Sequence, residues 1–225
     1  MQPEFETLLK DRRSIRAFTS AGVDRTAVER ICAAARRAPS GANLQPGKFH
    51  VLTGQPLAAL TATLARASAE NRPVDNEYSY FPDPMPAELK DRQRKAGYAL
   101  YNALGIARRD VAARRAQFDR NYAFFGAPVG VVVTIERTAG KGCFMDLGMS
   151  IMTFLLAAQS MKLGATGIGA LANYGTLVHQ TLDLPADELV VCGIALGHPD
   201  LRAPVNTFRT ERAELDEFTS FRGFT

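Results

Sequence analysis

The chain has 225 residues, of which 46% are hydrophobic and 22% are charged, and its formal net charge is +4 at pH 7. These values are ordinary for a soluble globular protein and provide enough apolar material for a large core. The mild positive charge is spread in short arginine clusters, which does not favour a nucleic-acid-binding module.

The three cysteines, Cys32, Cys143 and Cys192, lie far apart and form no CxxC pair. A disulfide framework or a zinc ribbon is therefore not predicted, and a reducing cytoplasm is expected. The first residues contain acidic side chains and no apolar run, unlike a signal peptide. The longest apolar stretch, roughly 149–158, is too short to span a bilayer, so we expect a soluble cytoplasmic protein.

The first third of the chain predicts two helices, a strand and a third helix. The second helix has Asp24 as its capping residue, a stop at Pro39 and an apolar face of Val28, Ile31, Cys32 and Ala35. The predicted segments are a helix over 4–11, a helix from 24 to 39, a strand over 48–53 ended by Gly54 and Pro56, and a short helix over about 57–70.

Residues 71–122 differ in character from the segments on either side. The segment begins with a loop that holds four prolines and no periodicity, and an arginine-rich stretch over 88–119 then predicts one or two exposed helices. Two interpretations stay open for this insertion: a lid that caps a site, or a solvated surface excursion.

The second half returns to regular patterning. A run of Val and Ile after Pro128 predicts a buried strand, and a helix ending at Gly164 as its C′ residue is apolar on nearly all sides. Such a helix is normally buried in a core or in a subunit interface. The predicted segments are a strand over 129–136, a helix over 145–164, a glycine-rich strand or loop over 165–172, a helix over 176–184, a strand over 189–199 and an irregular tail over 200–225. This alternation predicts an α+β or α/β sandwich.

The first candidate binding cluster is Arg12-Arg13-Ser14-Ile15-Arg16, which leaves the first helix. Guanidinium groups present forked N–H donors that suit a phosphate. In an extended segment alternate side chains share a face, so Arg12, Ser14 and Arg16 would converge on one ligand. Taken alone, the cluster also fits a solvated basic turn.

Three further clusters have both a functional and an ordinary interpretation. Residues 39–46 (PSGANLQP) combine small residues with neutral donors and acceptors, but they also suit a plain turn. Residues 166–169 (TGIG) suggest backbone lying flat against a ring, although they are not the dinucleotide fingerprint, which opens a helix after a strand. Residues 208–212 (FRTER) offer a second arginine fork or an exposed charged tail.

The order and setting of these clusters resemble the FMN-dependent nitroreductase family. The resemblance rests on R-R-S-x-R at 12–16, A-P-S-x-x-N-x-Q-P at 38–46, the apolar helix preceded by Asp146, the G-I-G at 167–169 and I-x-L-G-x-P at 194–199. It covers nearly the whole chain except 71–122. One departure is Gly47, because many relatives carry Trp after Q-P and this chain has none.

The resemblance implies a single FMN-binding domain over 1–225, with a three-layer sandwich in which helices flank a mostly antiparallel sheet, and an intertwined homodimer. Arg12, Ser14 and Arg16 would contact FMN, with Arg13 supporting and Arg209 completing the phosphate site. Pro39, Ser40, Gly41, Asn43 and Gln45 would serve the partner subunit's cofactor, whereas Gly167, Ile168 and Gly169 would lie along the flavin ring.

The resemblance also implies hydride transfer from NAD(P)H through flavin N5 to small electrophiles, with nitroaromatics as the expected class and NAD(P)H as co-substrate. The flavin supplies that chemistry, so no catalytic acid or base is assigned, and His50, His179 and His198 are expected to be structural. The insertion would select the substrate, with its arginines favouring an anionic aromatic such as a nitrobenzoate. Aromatic side chains that offer stacking surfaces are Tyr78, Tyr80, Phe81, Tyr98, Tyr101, Tyr122, Phe124 and Phe125, and the arginines are Arg108, Arg109, Arg114 and Arg115.

Alternative functions remain open on the sequence. The same fold and flavin serve reductive dehalogenases and enone or quinone reductases. A protein of another class, a basic anion- or nucleic-acid-binding module without catalysis, would carry no chromophore and would bind with a steep salt dependence.

Overall fold

A computed structural model describes residues 1–224, which form four β-strands and eight α-helices. The strands are β1 (Lys48–Thr53), β2 (Val129–Glu136), β3 (Gly164–Ile168) and β4 (Glu188–Gly197). The helices are α1 (Pro3–Asp11), α2 (Arg25–Ala35), α3 (Gly54–Ala69), α4 (Ala87–Ala103), α5 (Val111–Asp119), α6 (Lys141–Ser160), α7 (Gly175–Leu182) and α8 (Leu215–Phe218). The elements follow the predicted order, and the α+β class is confirmed.

The four strands form one antiparallel sheet in the order β1-β2-β4-β3. The two inner strands are the most apolar, and all ten residues of β4 are buried. Because side chains alternate along a strand, Val131 and Val133 of β2 enter one core while Val132 enters another. A run of Val and Ile is therefore buried on both sides of the sheet.

Helices cover each face of this sheet, which confirms the predicted three-layer sandwich. On one face, Ile31 of α2 and Phe154 of α6 pack against the strands. On the other face, Leu60 of α3 and Val178 of α7 do the same. Both faces of the sheet are thus shielded from water, and binding sites can form at its ends and edges.

Phe124 and Phe125, which the sequence offered as possible stacking surfaces, belong to the core. They are 0% and 3% exposed, and Tyr122 is 2% exposed. A Cβ atom on Gly130 of β2 would lie 3.0 Å from the ring of Phe124 and 2.6 Å from Leu57, so this strand position requires glycine. These rings pack beneath β2, the strand that follows Pro128, and do not offer stacking surfaces to a ligand.

The ends of α2 differ from the prediction. The side chain of Asp24 makes no capping hydrogen bond, although the residue does precede the helix. The helix ends at Ala35 instead of continuing to Pro39. After it, the guanidinium of Arg36 donates to the carbonyl oxygens of Gln45 at 2.5 Å and Gly47 at 2.9 Å, which ties the departing chain to the loop before β1.

Helix α6 begins earlier and ends sooner than predicted. It closes at Ser160, Lys162 takes the left-handed conformation with φ of 59°, and Gly164 starts β3, so Gly164 is not the C′ residue. The helix has 20 residues, enough by length and composition alone to cross a membrane, which the apolar stretch at 149–158 did not suggest. One face of α6 packs on α2 and the sheet through Leu147, Phe154 and Ala158, while most of its other residues stay partly or fully exposed.

A polar cluster lies where β1, β2 and β4 meet. Glu188 is buried and accepts hydrogen bonds from Lys48 Nζ at 2.6 Å and Thr134 Oγ1 at 2.6 Å, and His50 Nε2 lies 2.8 Å away. Burial raises the pKa of Glu188, but the hydrogen bonds from Lys48, Thr134 and His50 outweigh burial and lower it to about 2. The ionised carboxylate of Glu188 therefore stabilises the folded state.

Replacing this carboxylate by an amide tests that contribution. Glu188→Gln is expected to lower the free energy of unfolding by about 2 kcal/mol near neutral pH, because a charged acceptor of several bonds is lost. An acid with a depressed pKa stabilises above its ordinary pKa of 4.5, and this stability is lost as the pH falls towards 2. Urea unfolding at pH 7 and pH 3 should show a smaller difference between the two proteins at pH 3; an equal difference would contradict the assignment.

Candidate functional site

The arginine cluster after α1 runs as an extended segment beside β3. Ser14 forms an isolated parallel bridge with Ala165, and the amide of Ile15 donates to the carbonyl oxygen of Ala165 at 3.2 Å. Ile15 is only 3% exposed, so its side chain enters the core. Because neighbouring side chains alternate, burial of Ile15 leaves Ser14 and Arg16 on the opposite side, which faces a cavity.

This cavity, called here the arginine cavity, has a volume of about 640 Å³. That volume lies in the range of small-molecule and cofactor sites. The structure brings together the first and the fourth clusters of the sequence, although they are almost 200 residues apart. The lining residues are Leu9, Lys10, Arg12, Arg13, Ser14, Arg16, Met152, Phe208, Arg209, Thr210 and Arg212.

The arginine cavity is positively charged, and no carboxylate lines it. Burial lowers the pKa of Arg12, and repulsion from the nearby Arg212 lowers it further; burial alone lowers the pKa of Arg16. Within residues 1–224, Nε of Arg13 is buried without a hydrogen-bond partner. Like charges held together and partly desolvated favour an anion, so the donor set fits the phosphate of a cofactor such as FMN.

Asn206, which was missed from the sequence, holds the backbone of the arginine segment that lines this cavity. It is fully buried, and its Oδ1 accepts from the amide of Arg16 at 2.8 Å. Its Nδ2 donates to the carbonyl oxygens of Ala17 at 2.9 Å and Asp200 at 2.8 Å. One amide side chain thus joins the tail to the arginine segment. Nothing in the local pattern around Asn206 distinguishes it from the other polar residues of the tail.

The glycine-rich segment presents backbone beside the same extended segment. Gly167 is exposed, and a Cβ atom added to it would meet nothing within 4 Å. The side chain of Ile168 is 1% exposed and points into the core, so only its backbone is available to a ligand. Open space over Gly167 fits the expectation that a flat ring lies against β3.

A second cavity, of about 470 Å³, lies beyond Gly169 and is called here the aromatic cavity. The ring of Tyr80 lies 3.3 Å from the position of a Cβ atom on Gly169, and Tyr80 packs edge-on against Phe81 at 4.8 Å between centroids. The lining residues are Asn76, Tyr78, Ser79, Tyr80, Phe81, Phe118, Asn121, Gly169, Ala170, Ala172 and Asn173. Residues from both ends of the 71–122 insertion therefore meet the glycine-rich segment.

The insertion is fixed to the sheet just before this cavity. The carboxylate of Glu77 accepts from the amide of Val190 at 2.9 Å and pairs with Arg137 at 2.7 Å. The hydroxyl of Tyr78 donates to the carbonyl oxygen of Val191 at 2.7 Å. These contacts with β4 fix the backbone from which Tyr80 projects.

The loop over residues 39–46 lies apart from both cavities within one chain. Ala42, Asn43 and Gln45 are left-handed, with φ of 48°, 57° and 50°. Strain of this kind persists where surrounding contacts hold it, and it concentrates at functional sites. Of the predicted site residues in this loop, Pro39, Gly41, Asn43 and Gln45 are exposed and Ser40 is half-buried.

Gly47, where many relatives carry Trp, has a structural reason to be small. Its φ is 82°, and a Cβ atom on it would lie 2.7 Å from the side chain of Leu147 and 2.8 Å from the carbonyl oxygen of Thr134. A larger side chain does not fit without moving α6 or β2. The departure from the family pattern is therefore accommodated by local packing.

Asp146 of α6 holds this strained loop, because its Oδ2 accepts from the amide of Gly41 at 3.1 Å. Asp146→Ala is expected to release the loop at a cost of about 1 kcal/mol, whereas Asp146→Asn keeps an acceptor and should behave like the parent. Hydrogen exchange at the Gly41 amide measures the effect. Equal exchange in all three proteins would show that Asp146 does not position the loop.

Three of the four arginines expected to select an anionic substrate have side-chain partners within the chain. Arg108 lies over the ring of Tyr98 at 5.2 Å, and Arg114 over Tyr101 at 4.7 Å. Arg115 pairs with Asp119 at 3.0 Å. The lining of the arginine and aromatic cavities contains none of these arginines.

Each of the three histidines has contacts in the scaffold. His50 bonds Glu188, and His179 lies 3.7 Å from Glu77. The backbone oxygen of His198 accepts from the amide of Thr19 at 2.9 Å. The lining of the arginine and aromatic cavities contains no histidine.

Comparison with known proteins agrees with this geometry. The model of the "Nitroreductase family" matches residues 9–198. A 4-nitrobenzoate reductase of Pseudomonas putida is 35% identical over 98% of this chain and 96% of its own, and a nitrobenzene nitroreductase of Ectopseudomonas oleovorans is 33% identical over 97% of each. Both relatives are enzymes, unlike the binding module considered above.

Solved structures show the same fold over nearly the whole chain. The FMN- and NADPH-dependent nitroreductase NfnB of Sphigopyxis sp. strain HMH superposes with a TM-score of 0.95 at 38% identity, covering 97% of this chain and 99% of its own. An FMN-dependent NfnB of Mycobacterium smegmatis, solved with NADPH, gives a TM-score of 0.92 at 29% identity, covering 97% of each chain. The chain belongs to the nitroreductase family.

Proposed function

We propose that this protein is an FMN-dependent oxidoreductase that uses NAD(P)H to reduce nitroaromatic compounds, nitrobenzoates among them. The observation that carries the proposal is the arginine cavity, because clustered guanidiniums without carboxylates in its lining beside open glycine backbone suit a phosphate joined to a flat ring. The 35% identity to a 4-nitrobenzoate reductase supports the substrate class. It favours nitro reduction over dehalogenation or enone reduction on the same fold.

The cofactor is assigned to residues from three parts of the chain. Arg12, Ser14, Arg16 and Arg209 would hold the phosphate end, with Arg13 supporting. Gly167, Ile168 and Gly169 would present backbone to the ring, in accord with the open space over Gly167. Bound FMN supplies the hydride-transfer chemistry, whereas the protein binds, orients and shields the reactants.

The 71–122 insertion would serve as the lid of a single domain. Tyr80 and Phe81 are 66% and 53% exposed and face the aromatic cavity, which suits stacking on a nitroarene ring. The family model spans this segment as well. We infer that Tyr80, not the arginines at 108, 109, 114 and 115, makes the main contact with the substrate.

A homodimer and a cytoplasmic location complete the proposal. Met145 and Met149 of α6 are 70% and 41% exposed, and Asp146 between them holds the strained loop over 39–46, so apolar surface lies open beside that loop. Loop residues Pro39, Ser40, Gly41, Asn43 and Gln45 would reach the partner's cofactor. Light scattering should give twice the 24.5 kDa chain mass, and a monomer would overturn this part.

An absorption spectrum of the purified protein tests the central proposal. Flavin bands that bleach anaerobically on addition of NADPH, and return on addition of 4-nitrobenzoate with formation of a reduced nitrogen product, are the expected result. A colourless protein that neither takes up FMN nor oxidises NADPH would overturn the enzyme assignment.

The phosphate assignment has its own test in the arginines. Arg12→Ala and Arg209→Ala should each weaken FMN binding about tenfold or more, because a charge-assisted contact is lost. Arg109→Ala is a matched control, since Arg109 is exposed and lines neither cavity. Unchanged FMN content of both cavity variants after dialysis would refute the assignment.

A further inference from the structure

The aromatic cavity differs in charge from the arginine cavity. Within residues 1–224, no side chain that lines the aromatic cavity belongs to Asp, Glu, Lys, Arg or His. Four rings, those of Tyr78, Tyr80, Phe81 and Phe118, provide its apolar surface, and its other polar side chains are asparagines and one serine. The arginine cavity is lined by several cations. The two cavities therefore suit ligands of different charge.

The charged side chains that adjoin this lining in the chain do not supply a free cation. Arg120, which follows α5, donates to the carbonyl oxygen of Phe125 at 3.4 Å. The carboxylates of Asp75 and Glu77 flank Asn76, and that of Asp75 accepts from a backbone amide of α7 at 3.1 Å. An anionic group in the aromatic cavity would thus meet no guanidinium or ammonium group in the lining. Moving an unpaired charge out of water in this way is unfavourable.

Two asparagines of the lining present acceptor oxygens. Nδ2 of Asn173 donates to the hydroxyl of Tyr122 at 3.1 Å, and Nδ2 of Asn121 donates to the carbonyl oxygen of Phe118 at 2.6 Å. Each amide thus uses an N–H on the protein, whereas neither Oδ1 accepts a hydrogen bond from residues 1–224. An amide oxygen accepts from the N–H or O–H of a neutral substituent and repels a carboxylate, which has no proton to donate.

We infer that the aromatic cavity selects uncharged nitroarenes, above all those whose ring carries an amide, amino or hydroxyl group, over nitrobenzoates. The inference rests on the proposed function and ranks the substrates within it, so that nitrobenzoates would be reduced less efficiently than their neutral counterparts. It makes Asn121, whose amide lines the cavity, a specificity-determining residue. Asn121 would contact the ring substituent and take no part in hydride transfer.

Binding of analogues without a nitro group tests the charge preference in the absence of any redox reaction. Calorimetric titration of the FMN-loaded protein with benzamide should give a dissociation constant about tenfold lower than titration with benzoate, because only benzoate brings a charge into the cavity. Asn121→Lys, which places a cation in the lining, should remove or reverse that preference. Gln93→Lys is the matched control, since it adds the same charge at an exposed position of α4 outside the cavity.

Steady-state kinetics extend the test to the reaction. The ratio of kcat/KM for 4-nitrobenzamide to kcat/KM for 4-nitrobenzoate should fall about tenfold in Asn121→Lys and stay unchanged in Gln93→Lys, because a cation in the lining would pair with the carboxylate. Comparing one ratio between proteins cancels the different intrinsic reactivity of the two nitro groups.

The outcomes separate the charge selectivity from the proposed function. Equal or tighter binding of benzoate by the parent protein, or an undiminished preference for benzamide in Asn121→Lys, would overturn the inference. A preference for benzamide that is lost in Asn121→Lys and kept in Gln93→Lys would support it. If that binding pattern holds but neither nitroarene is reduced in the presence of NADPH, the proposed function fails while the selectivity of the cavity stands.

Discussion

Gly167→Val is expected to produce a stable protein that has lost most of its affinity for FMN. A Cβ atom at Gly167 meets nothing within 4 Å, and the residue lies in β3, where a β-branched side chain is well suited. The valine would occupy the space assigned to the flavin ring. We expect the dissociation constant for FMN to rise about a hundredfold, as overpacking of a closely fitted site implies. Fluorescence titration of apoprotein with FMN measures it.

The matched comparison is Gly130→Val, the same change in strand β2 of the same sheet. There a Cβ atom would lie 2.6 Å from Leu57, so this variant should unfold at much lower temperature. The pair distinguishes space kept for a ligand from space filled by the core. If Gly167→Val binds FMN as tightly as the parent protein, the flavin ring does not lie against β3.

Phe154→Ala is expected to cost about 3–5 kcal/mol of the free energy of unfolding. Phe154 is 0% exposed, and its ring stacks on that of Phe49 at 5.7 Å with an angle of 8°. Truncation leaves a cavity between α6 and the sheet that the rigid strands cannot fill. Urea unfolding at one fixed protein concentration measures the loss, since association would otherwise contribute.

Phe154→Leu provides the control for this prediction. Leucine retains most of the apolar volume, so it should recover more than half of the lost stability. If the two variants unfold at the same urea concentration, the cost would come from the lost aromatic stacking and not from the cavity.

The strands and most helices were predictable because their signals are local. The alternation in β1 and the valine run of β2 each report burial from a few neighbouring residues, and both strands were placed correctly. The predicted end of α2 was wrong because the guanidinium of Arg36 donates to carbonyl groups about ten residues away. The prediction that Gly164 is the C′ residue of α6 was wrong because Lys162 adopts the left-handed conformation there, although lysine does not usually favour it.

The candidate site was predictable only in pieces. Spacing alone placed Arg12, Ser14 and Arg16 on one face, and the structure brings them to one cavity. Arg209 lies at the same cavity because of a tertiary contact, in which its guanidinium donates to the carbonyl oxygen of Lys10. Local patterns carry no information on such distant pairs, so the expectation for Arg209 came from the family resemblance. The buried Asn206 had no signal of either kind.

The contact between Asn206 and Arg16 also has a consequence for biosynthesis. The two residues are 190 positions apart, and the arginine cavity needs residues on both sides of that span. During translation the first arginines emerge from the ribosome long before Arg209 exists. The central sheet can assemble earlier, but the proposed phosphate site is incomplete until the tail is released. If the proposed phosphate assignment holds, cofactor loading is a post-translational step, and a truncation before residue 206 should leave a folded sheet that cannot retain flavin.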